Sequence, residues 1–296
     1  MEEPHTDNEN TKLIRAYEDK DLAESYAKYR PSYPHIVHES IIGYLKKKHL
    51  INTQDGKFKQ MLDVGCGSGT LSTQPFSPYF ESILGVDISS AKIEEAKKLN
   101  KCKNVFFKVI DSYKYPIEDN TVDLITCGTS IHYLDIRLFE KECERILKPG
   151  GCCAFYIMNF GSIKEVTKPE SDSKHLEVLL NPFIAEFMID IDAHPCNFSA
   201  LNRNRPIYDR IQNKTKELLE EIICETKMSL RQLKDIFGTF GDYITLMKQG
   251  KPNIDPLENF GNNIRKSLRL NDGNSDDYII LNVEMVYPIY LFAKLI

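Results

Sequence analysis

The sequence predicts an α/β chain built on a parallel sheet with helices on both faces. Two observations carry this. Between residues 60 and 158, short apolar runs alternate with runs of helical spacing, the pattern of parallel strands joined by helical crossovers. The first apolar run, with Met61, Leu62 and Val64, leads into Gly65-Cys66-Gly67-Ser68-Gly69-Thr70, where glycine recurs at alternate positions. Glycine tolerates φ > 0 and lets a ligand approach the backbone closely. Such a loop leading into a helix is a device for anions and nucleotides.

Taken in order, residues 1–10 read as disordered, and residues 11–29 carry helical spacing through Leu13, Ile14, Tyr17, Leu22, Tyr26 and Tyr29. Tyr29-Arg30-Pro31-Ser32-Tyr33-Pro34 is an extended turn, because the residue before each proline is pushed out of the α region. Pro34 can open the next helix, about 34–49, which buries Ile36, Val37, Ile41, Ile42 and Leu45. Residues 52–59 are a polar connection. Then follow strand 60–64, helix 70–79, strand 82–87, helix 90–99 started by Ser89 or Ser90, strand 104–109, a loop, strand 121–127, helix 136–147 and strand 152–158. Residues 159–275 show no strand of comparable quality and read as helices near 174–180, 207–225, 229–237, 241–249 and 256–268. Strand signals return at 278–284 and 287–295.

Composition bounds the function. A chain of 296 residues can hold one large domain or two small ones, and 15 Phe with 15 Tyr can fill a core. A net charge of −5 gives no footing for non-specific binding to nucleic acid or to an anionic membrane. Lys46-Lys47-Lys48 reads as a solvated helix end. No apolar run approaches the ~20 residues of a transmembrane helix, and Met1 to Thr11 is polar and acidic, unlike a signal peptide. A cytoplasmic location is expected. The eight cysteines lack C-x-x-C spacing and are expected as reduced core thiols. Two sequons, at Asn197 and Asn213, would not meet the glycosylation machinery there. His35 and His38 lie three apart but find no third ligand, so no metal is assigned.

The spacing of the glycine loop discriminates further. A dinucleotide fingerprint needs G-x-G-x-x-G/A; here Thr70 stands in the last slot and the third glycine comes one residue early. No Lys-Ser/Thr pair follows, so this is no phosphate-cradling Walker loop. The form Asp63-x-Gly65-x-Gly67-x-Gly69 resembles the first motif of class I S-adenosylmethionine-dependent methyltransferases. The resemblance continues in Val86-Asp87-Ile88-Ser89, Val109-Ile110-Asp111-Ser112, Val122 to Cys127, and Leu147-Lys148-Pro149-Gly150-Gly151. It covers about residues 60–160. It implies a Rossmann-like, seven-stranded, mostly parallel sheet with one of the last two strands antiparallel. The expected division is a lid segment 1–33, a cofactor-binding core 34–160, a helical substrate-recognition insertion 161–275 and final sheet strands 276–296.

The resemblance also implies roles. Gly65, Cys66, Gly67 and Gly69 would approach the methionine part and the ribose, with Cys66 read as a small packing residue. Asp63 would hold the loop or meet the cofactor's amino group. Asp87, beside Ile88, would accept from the ribose hydroxyls, or else cap the following helix. Asp111 and Ser112 would meet the adenine, or Asp111 would cap a turn. Tyr26, Tyr29, Arg30 and Tyr33, in Y-x-x-Y-R-P-x-Y-P, are similar to the N-terminal lid of the group that includes trans-aconitate methyltransferase and its eukaryotic relatives. Tyr26 and Arg30 would then touch the cofactor, with Arg30 on its carboxylate or on a substrate's. Thr129 to Leu134 matches that group's small-x-His-aromatic segment. His132 is the candidate catalytic residue: a base for an amine or hydroxyl acceptor, an orienting group for a carboxylate, or a histidine bonded to nearby backbone. Tyr33, Tyr133, Arg203 and Arg205 are candidate substrate contacts, the two arginines for an acidic acceptor or as a solvated loop. The group's C-terminal Trp-Ser pair is missing; its place falls at Gly238 to Tyr243.

The expected activity is methyl transfer to a small molecule, with a carboxylic acid as the candidate acceptor. Transfer to a protein or tRNA, and a cofactor-binding protein without catalysis, are the alternatives.

Overall fold

A computed structural model describes residues 28–48, 56–166, 176–250, 252–270 and 273–295. The expected helix over 11–29, apart from its last two residues, lies outside them, and so does Tyr26. The strands are β1 (Phe58–Val64), β2 (Phe80–Asp87), β3 (Val105–Val109), β4 (Val122–Gly128), β5 (Leu147–Tyr156), β6 (Asn159–Glu165), β7 (Glu177–Leu179), β8 (Glu217–Ser229) and β9 (Ile280–Ala293). The helices are α1 (His35–Lys48), α2 (Ser90–Leu99), α3 (Ile136–Ile146), α4 (Asn181–Asp190), α5 (Pro195–Leu201), α6 (Arg205–Arg210), α7 (Leu230–Phe237), α8 (Gly241–Gln249) and α9 (Pro256–Ser267).

Strands β3, β2, β1, β4 and β5 are parallel neighbours in that order. β9 runs antiparallel to β5, and β8 antiparallel to β9. Leu291 is paired with Ala154 on one side and Glu217 on the other; Val286 is paired with Asn159 and with Ile223. β5 and β6 therefore lie end to end along one side of β9, with β8 along the other. The nine strands make seven ranks, β3-β2-β1-β4-β5/β6-β9-β8, six parallel and one antiparallel, with β7 appended to β6. The expected sheet is present.

Its two faces are covered separately. α1 lays Val37, Ile41 and Leu45 against Phe76, Phe80 and Met61, while α3 lays Ile136, Phe139, Cys143 and Ile146 against Leu62, Ile125 and Phe155. Those four residues recur at helical spacing, the reason this stretch forms a helix on a sheet face. Asp135 starts it by accepting from Arg137 N and Leu138 N, and Ser89 starts α2 by accepting from Lys92 N.

Four local expectations are corrected. Residues 70–79 form turns and a 3₁₀ helix over Gln74–Tyr79 instead of an α-helix. Pro78 lies inside that turn, and proline lacks the N–H and clashes with an α-helical ladder. The helix expected near 174–180 is the short strand β7. The helix expected over 207–225 is the short α6 followed by β8. Its glutamates and leucines favour helix, but pairing along β9 decides the outcome, and an edge strand with few buried residues shows no clean alternation. The strands expected over 278–284 and 287–295 are one strand, β9. Pro288 suggests a break, yet on its β5/β6 side it falls between the pairs Val286–Asn159 and Ile289–Tyr156, where the ladder is already interrupted. The stretch 159–275, expected as helices and polar loops without a strand, thus holds β6, β7 and the edge strand β8.

Candidate active site

β1 carries the glycine stretch at its carboxyl end, the side of an open parallel sheet where ligands bind. Gly65, Gly67 and Gly69 have φ of 69°, 55° and 71°, the left-handed region that favours glycine. Their tasks differ. A Cβ at Gly65 would lie 2.5 Å from Ser130 Cβ, and one at Gly69 would lie 2.3 Å from Phe107 Cζ. A Cβ at Gly67 would meet nothing within 4 Å. Gly65 and Gly67 line a cavity of about 420 Å³; Gly69 does not. The contact expected there is corrected: Gly69 makes room for the Phe107 ring.

Asp63 is buried behind the loop and also stands outside the cavity wall. Its carboxylate accepts from Ser72 Oγ (2.7 Å), Thr73 Oγ1 (2.6 Å) and Thr126 Oγ1 (2.8 Å). Burial pushes its pKa up to about 6, against the three hydroxyls that favour the charged form. Asp63 holds the loop to β1 and β4, so of its two expected tasks the structure has the first. None of the three hydroxyls stands out in the sequence. Cys66 lines the wall, and burial pushes its thiol well above the ordinary range. It is a packing residue there.

Asp87 closes β2. Its Oδ2 accepts from Gly67 N at 2.9 Å and its Oδ1 from Ser89 N at 2.9 Å. A carboxylate has about four acceptor positions, so two remain for a ligand, and Asp87 lines the cavity. The helix-cap alternative is removed, since Ser89 caps α2. Ile88, Asp111 and Ser112 stand along the same end of the wall.

Beyond β4, Thr129 has φ of 51°, an uncommon conformation for a β-branched residue. Its N–H donates to Tyr156 O at 2.8 Å, and its hydroxyl is hydrogen-bonded to Tyr33 OH. The turn brings Ser130 over Gly65, where Ser130 Oγ donates to Val64 O at 2.9 Å. His132 follows in a single 3₁₀ turn and is 5% exposed. Its Nδ1 is buried and has no partner. Burial and the Arg30 charge push its pKa down to about 3, so the ring is neutral near pH 7 and bound to no neighbouring backbone through Nδ1.

Arg30 and Tyr33 both reach the wall from the N-terminal segment. Arg30 Nε donates to Thr239 Oγ1 at 2.9 Å, and its guanidinium lies 4.9 Å from the Phe240 ring centroid. Tyr133 OH donates to Asn197 Oδ1 at 3.3 Å, and Asn197 Nδ2 donates to Asp242 Oδ2 at 2.7 Å. Arg203 and Arg205 are outside the wall. Arg203 is paired with Glu221, and Arg205 with Asp209 at 3.1 Å while covering the Tyr208 ring. Their expected substrate contact is corrected: nearby carboxylates hold both at the surface.

Sequence reasoning missed the far half of the wall. Met158 and Phe160 follow β5, Ile184 and Met188 come from α4, Asn197 from α5, and Phe237 and Phe240 from the end of α7. No motif marks the apolar ones, except that Phe240 falls at the place of the missing Trp-Ser pair. Among the described residues, no cluster of three or more His, Cys, Asp or Glu could hold a metal, and no helix is long and apolar enough to cross a membrane.

Residues 62–155 match a family of methyltransferase domains. A Dictyostelium discoideum protein with a provisional methyltransferase name is 22% identical over 277 residues, which is 92% of each chain. A ubiquinone biosynthesis O-methyltransferase of Coxiella burnetii is 31% identical over 136 residues, 40% of this chain and 55% of that one. A solved structure from Anaeromyxobacter dehalogenans, provisionally named a type II methyltransferase, superposes with a TM-score of 0.63 at 18% identity over 90% of this chain and 99% of that one. That likeness shows the fold. The site itself fits an adenosyl sulfonium: the backbone at Gly67 is open to the cavity, and Asp87 beside it keeps acceptor positions for a ribose diol. Residues 62–155 thus form a methyltransferase domain of the S-adenosylmethionine-dependent class I kind.

Proposed function

We propose that this protein methylates a small-molecule acceptor, with a carboxylic acid as the class that suits the site best. The observation that carries the reading is the continuity of the cavity. It runs from Asp87 and Gly67 into a chamber whose wall includes Arg30, His132 and residues of the 161–275 stretch. The relative from Coxiella burnetii is named for O-methylation in ubiquinone biosynthesis, which also favours a metabolite.

S-adenosylmethionine supplies a methyl group already activated on a sulfonium. The protein's work is to hold, orient and keep water out. Asp87 takes the ribose hydroxyls, Ile88 packs beside it, and Asp111 and Ser112 take the adenine. Gly65 and Gly67 let the cofactor's amino-acid part lie on the backbone, next to Cys66. Arg30, held against Thr239 and Phe240, receives a carboxylate. His132 orients: a neutral ring with so low a pKa is a poor base near pH 7. Tyr33 holds the Thr129 turn, and Tyr133 faces the acceptor with its hydroxyl tied to Asn197. The described lid residues 28–33 and the 161–275 stretch roof the chamber, and 34–160 with the last strand hold the cofactor.

Calorimetry with S-adenosylhomocysteine, followed by a labelled-methyl screen of metabolite pools, tests this. Absence of binding at millimolar ligand overturns the cofactor placement. Label recovered in protein or RNA, with none in small molecules, overturns the acceptor class.

A further inference from the structure

The chamber's walls have a chemistry of their own. Away from Asp87 and Asp111, six residues set its character: Met158, Phe160, Ile184, Met188, Phe237 and Phe240. Two asparagines also reach the wall, and protein partners occupy both. Asn159 Nδ2 donates to Ala200 O at 2.7 Å, while its Oδ1 accepts from Phe160 N at 2.8 Å. Asn197 is engaged with Tyr133 and Asp242. The described wall holds two basic side chains, Lys92 near Cys66 and Arg30 against Phe240.

From these walls we infer that the acceptor is a hydrophobic monocarboxylate: one carboxylate on an aliphatic or aryl body that fills the chamber. The inference rests on the proposed methyl transfer to a carboxylic acid. A polycarboxylate would set further charges against methionine and phenylalanine, which cannot replace their lost hydration. Apolar surface has what it needs: sulfur, aliphatic and aromatic side chains, with methionines that adapt to irregular shapes.

The transfer needs no proton acceptor. A carboxylate oxygen forms the new bond to the methyl carbon, the sulfur–carbon bond breaks, and its electron pair stays on sulfur. The carboxylate's negative charge and the sulfonium's positive charge vanish together, leaving a neutral ester and a neutral thioether. That balance matches a chamber whose histidine Nδ1 is buried without a partner.

The test uses the full chain and S-adenosylmethionine labelled at the methyl group. S-adenosylhomocysteine binding is measured first by calorimetry. Its absence overturns the methyltransferase reading itself. With binding established, straight-chain monocarboxylates of four to ten carbons, taken as roughly bracketing the chamber, are compared with propane-1,2,3-tricarboxylate. The expected result is a rise in kcat/KM of about fourfold per methylene until the chamber is full, with octanoate about a hundredfold above the tricarboxylate. Met158→Gln should lower octanoate kcat/KM about tenfold and Met158→Leu should preserve it, both with unchanged S-adenosylhomocysteine affinity. A flat chain-length series, or preference for the tricarboxylate, overturns the inference and leaves the methyltransferase reading in place. If no acid turns over, octanoate is titrated into the S-adenosylhomocysteine complex; absence of binding overturns the inference equally.

Discussion

Gly67→Ala should weaken cofactor binding at little cost in stability, whereas the same change at Gly65 or Gly69 should cost more stability. At Gly67 a Cβ meets no atom within 4 Å, so the fold loses only what alanine pays for a φ of 55°, about 1–2 kcal/mol. The same methyl occupies space where the cofactor must lie on the backbone, and affinity for S-adenosylhomocysteine should fall at least about tenfold, roughly 1.4 kcal/mol. At Gly65 the new Cβ would stand 2.5 Å from Ser130 Cβ, and Ser130 is tied to Val64 O. At Gly69 it would stand 2.3 Å from the ring of Phe107, a buried side chain that would have to shift. Each of those changes adds an overpacking cost of about 1–3 kcal/mol to the backbone strain. The assay is urea unfolding of all three variants beside calorimetry. The reasoning is refuted if Gly67→Ala binds within twofold of the wild type, or if it is the least stable of the three.

Asp87→Asn should weaken S-adenosylhomocysteine binding by about 1.5–3 kcal/mol, the worth of hydrogen bonds to a charged group, measured by calorimetry with unfolding as the control for Gly67 N and Ser89 N. Asn197→Ala removes the hydrogen bonds to Tyr133 OH and to Asp242 Oδ2, and should lower kcat about tenfold while S-adenosylhomocysteine affinity holds, on a scale of about 1–2 kcal/mol for one buried polar group. A fall in cofactor affinity instead would place Tyr133 against the cofactor. Acid should destabilise the fold through His132 and His38, whose pKa values burial lowers to about 3 and about 4. A depressed folded pKa gives stability that is present above the unfolded value of about 6.5 and is lost as pH falls toward the folded one. Between pH 7.5 and 5.5 each ring should cost about 1.4 kcal/mol. Urea unfolding should show a smaller pH effect in His132→Gln than in the wild type, even though Asp63, with its raised pKa, pulls in the opposite direction.

The core was legible because its constraints are local. Strand β1, the glycines and Asp87 sit in a stretch where the backbone must turn sharply, and only glycine does so at left-handed φ without strain. The helix over 136–146 was legible because its apolar residues meet one sheet face at helical spacing. Partners were less legible than positions. Asp63 is easily picked out as an acid before a glycine loop, yet the choice between loop and cofactor depends on Ser72, Thr73 and Thr126, and Thr126 lies 63 residues away on another strand. Likewise the third glycine of the motif serves Phe107, a residue of β3 that carries no motif.

The far half of the site was illegible for a different reason. Its residues are methionine, isoleucine and phenylalanine, which in a sequence look like any other core positions. What turns them into a chamber is that β5 and β6 break at Ile157–Met158, opposite Pro288, so the chain leaves the sheet line where the cavity needs a wall. The same long-range pairing converts 217–229 from a helix-favouring run into the outer strand β8. Arginines, in contrast, drew attention at 203 and 205 and were held at the surface by Glu221 and Asp209. The arginine that does line the wall, Arg30, comes from the N-terminal segment, whose Tyr33 also fixes the strained Thr129 turn. One short segment thus places a cation in the chamber and braces the turn that carries His132, so loss of the Tyr33 hydroxyl should disturb the acceptor half before the cofactor half.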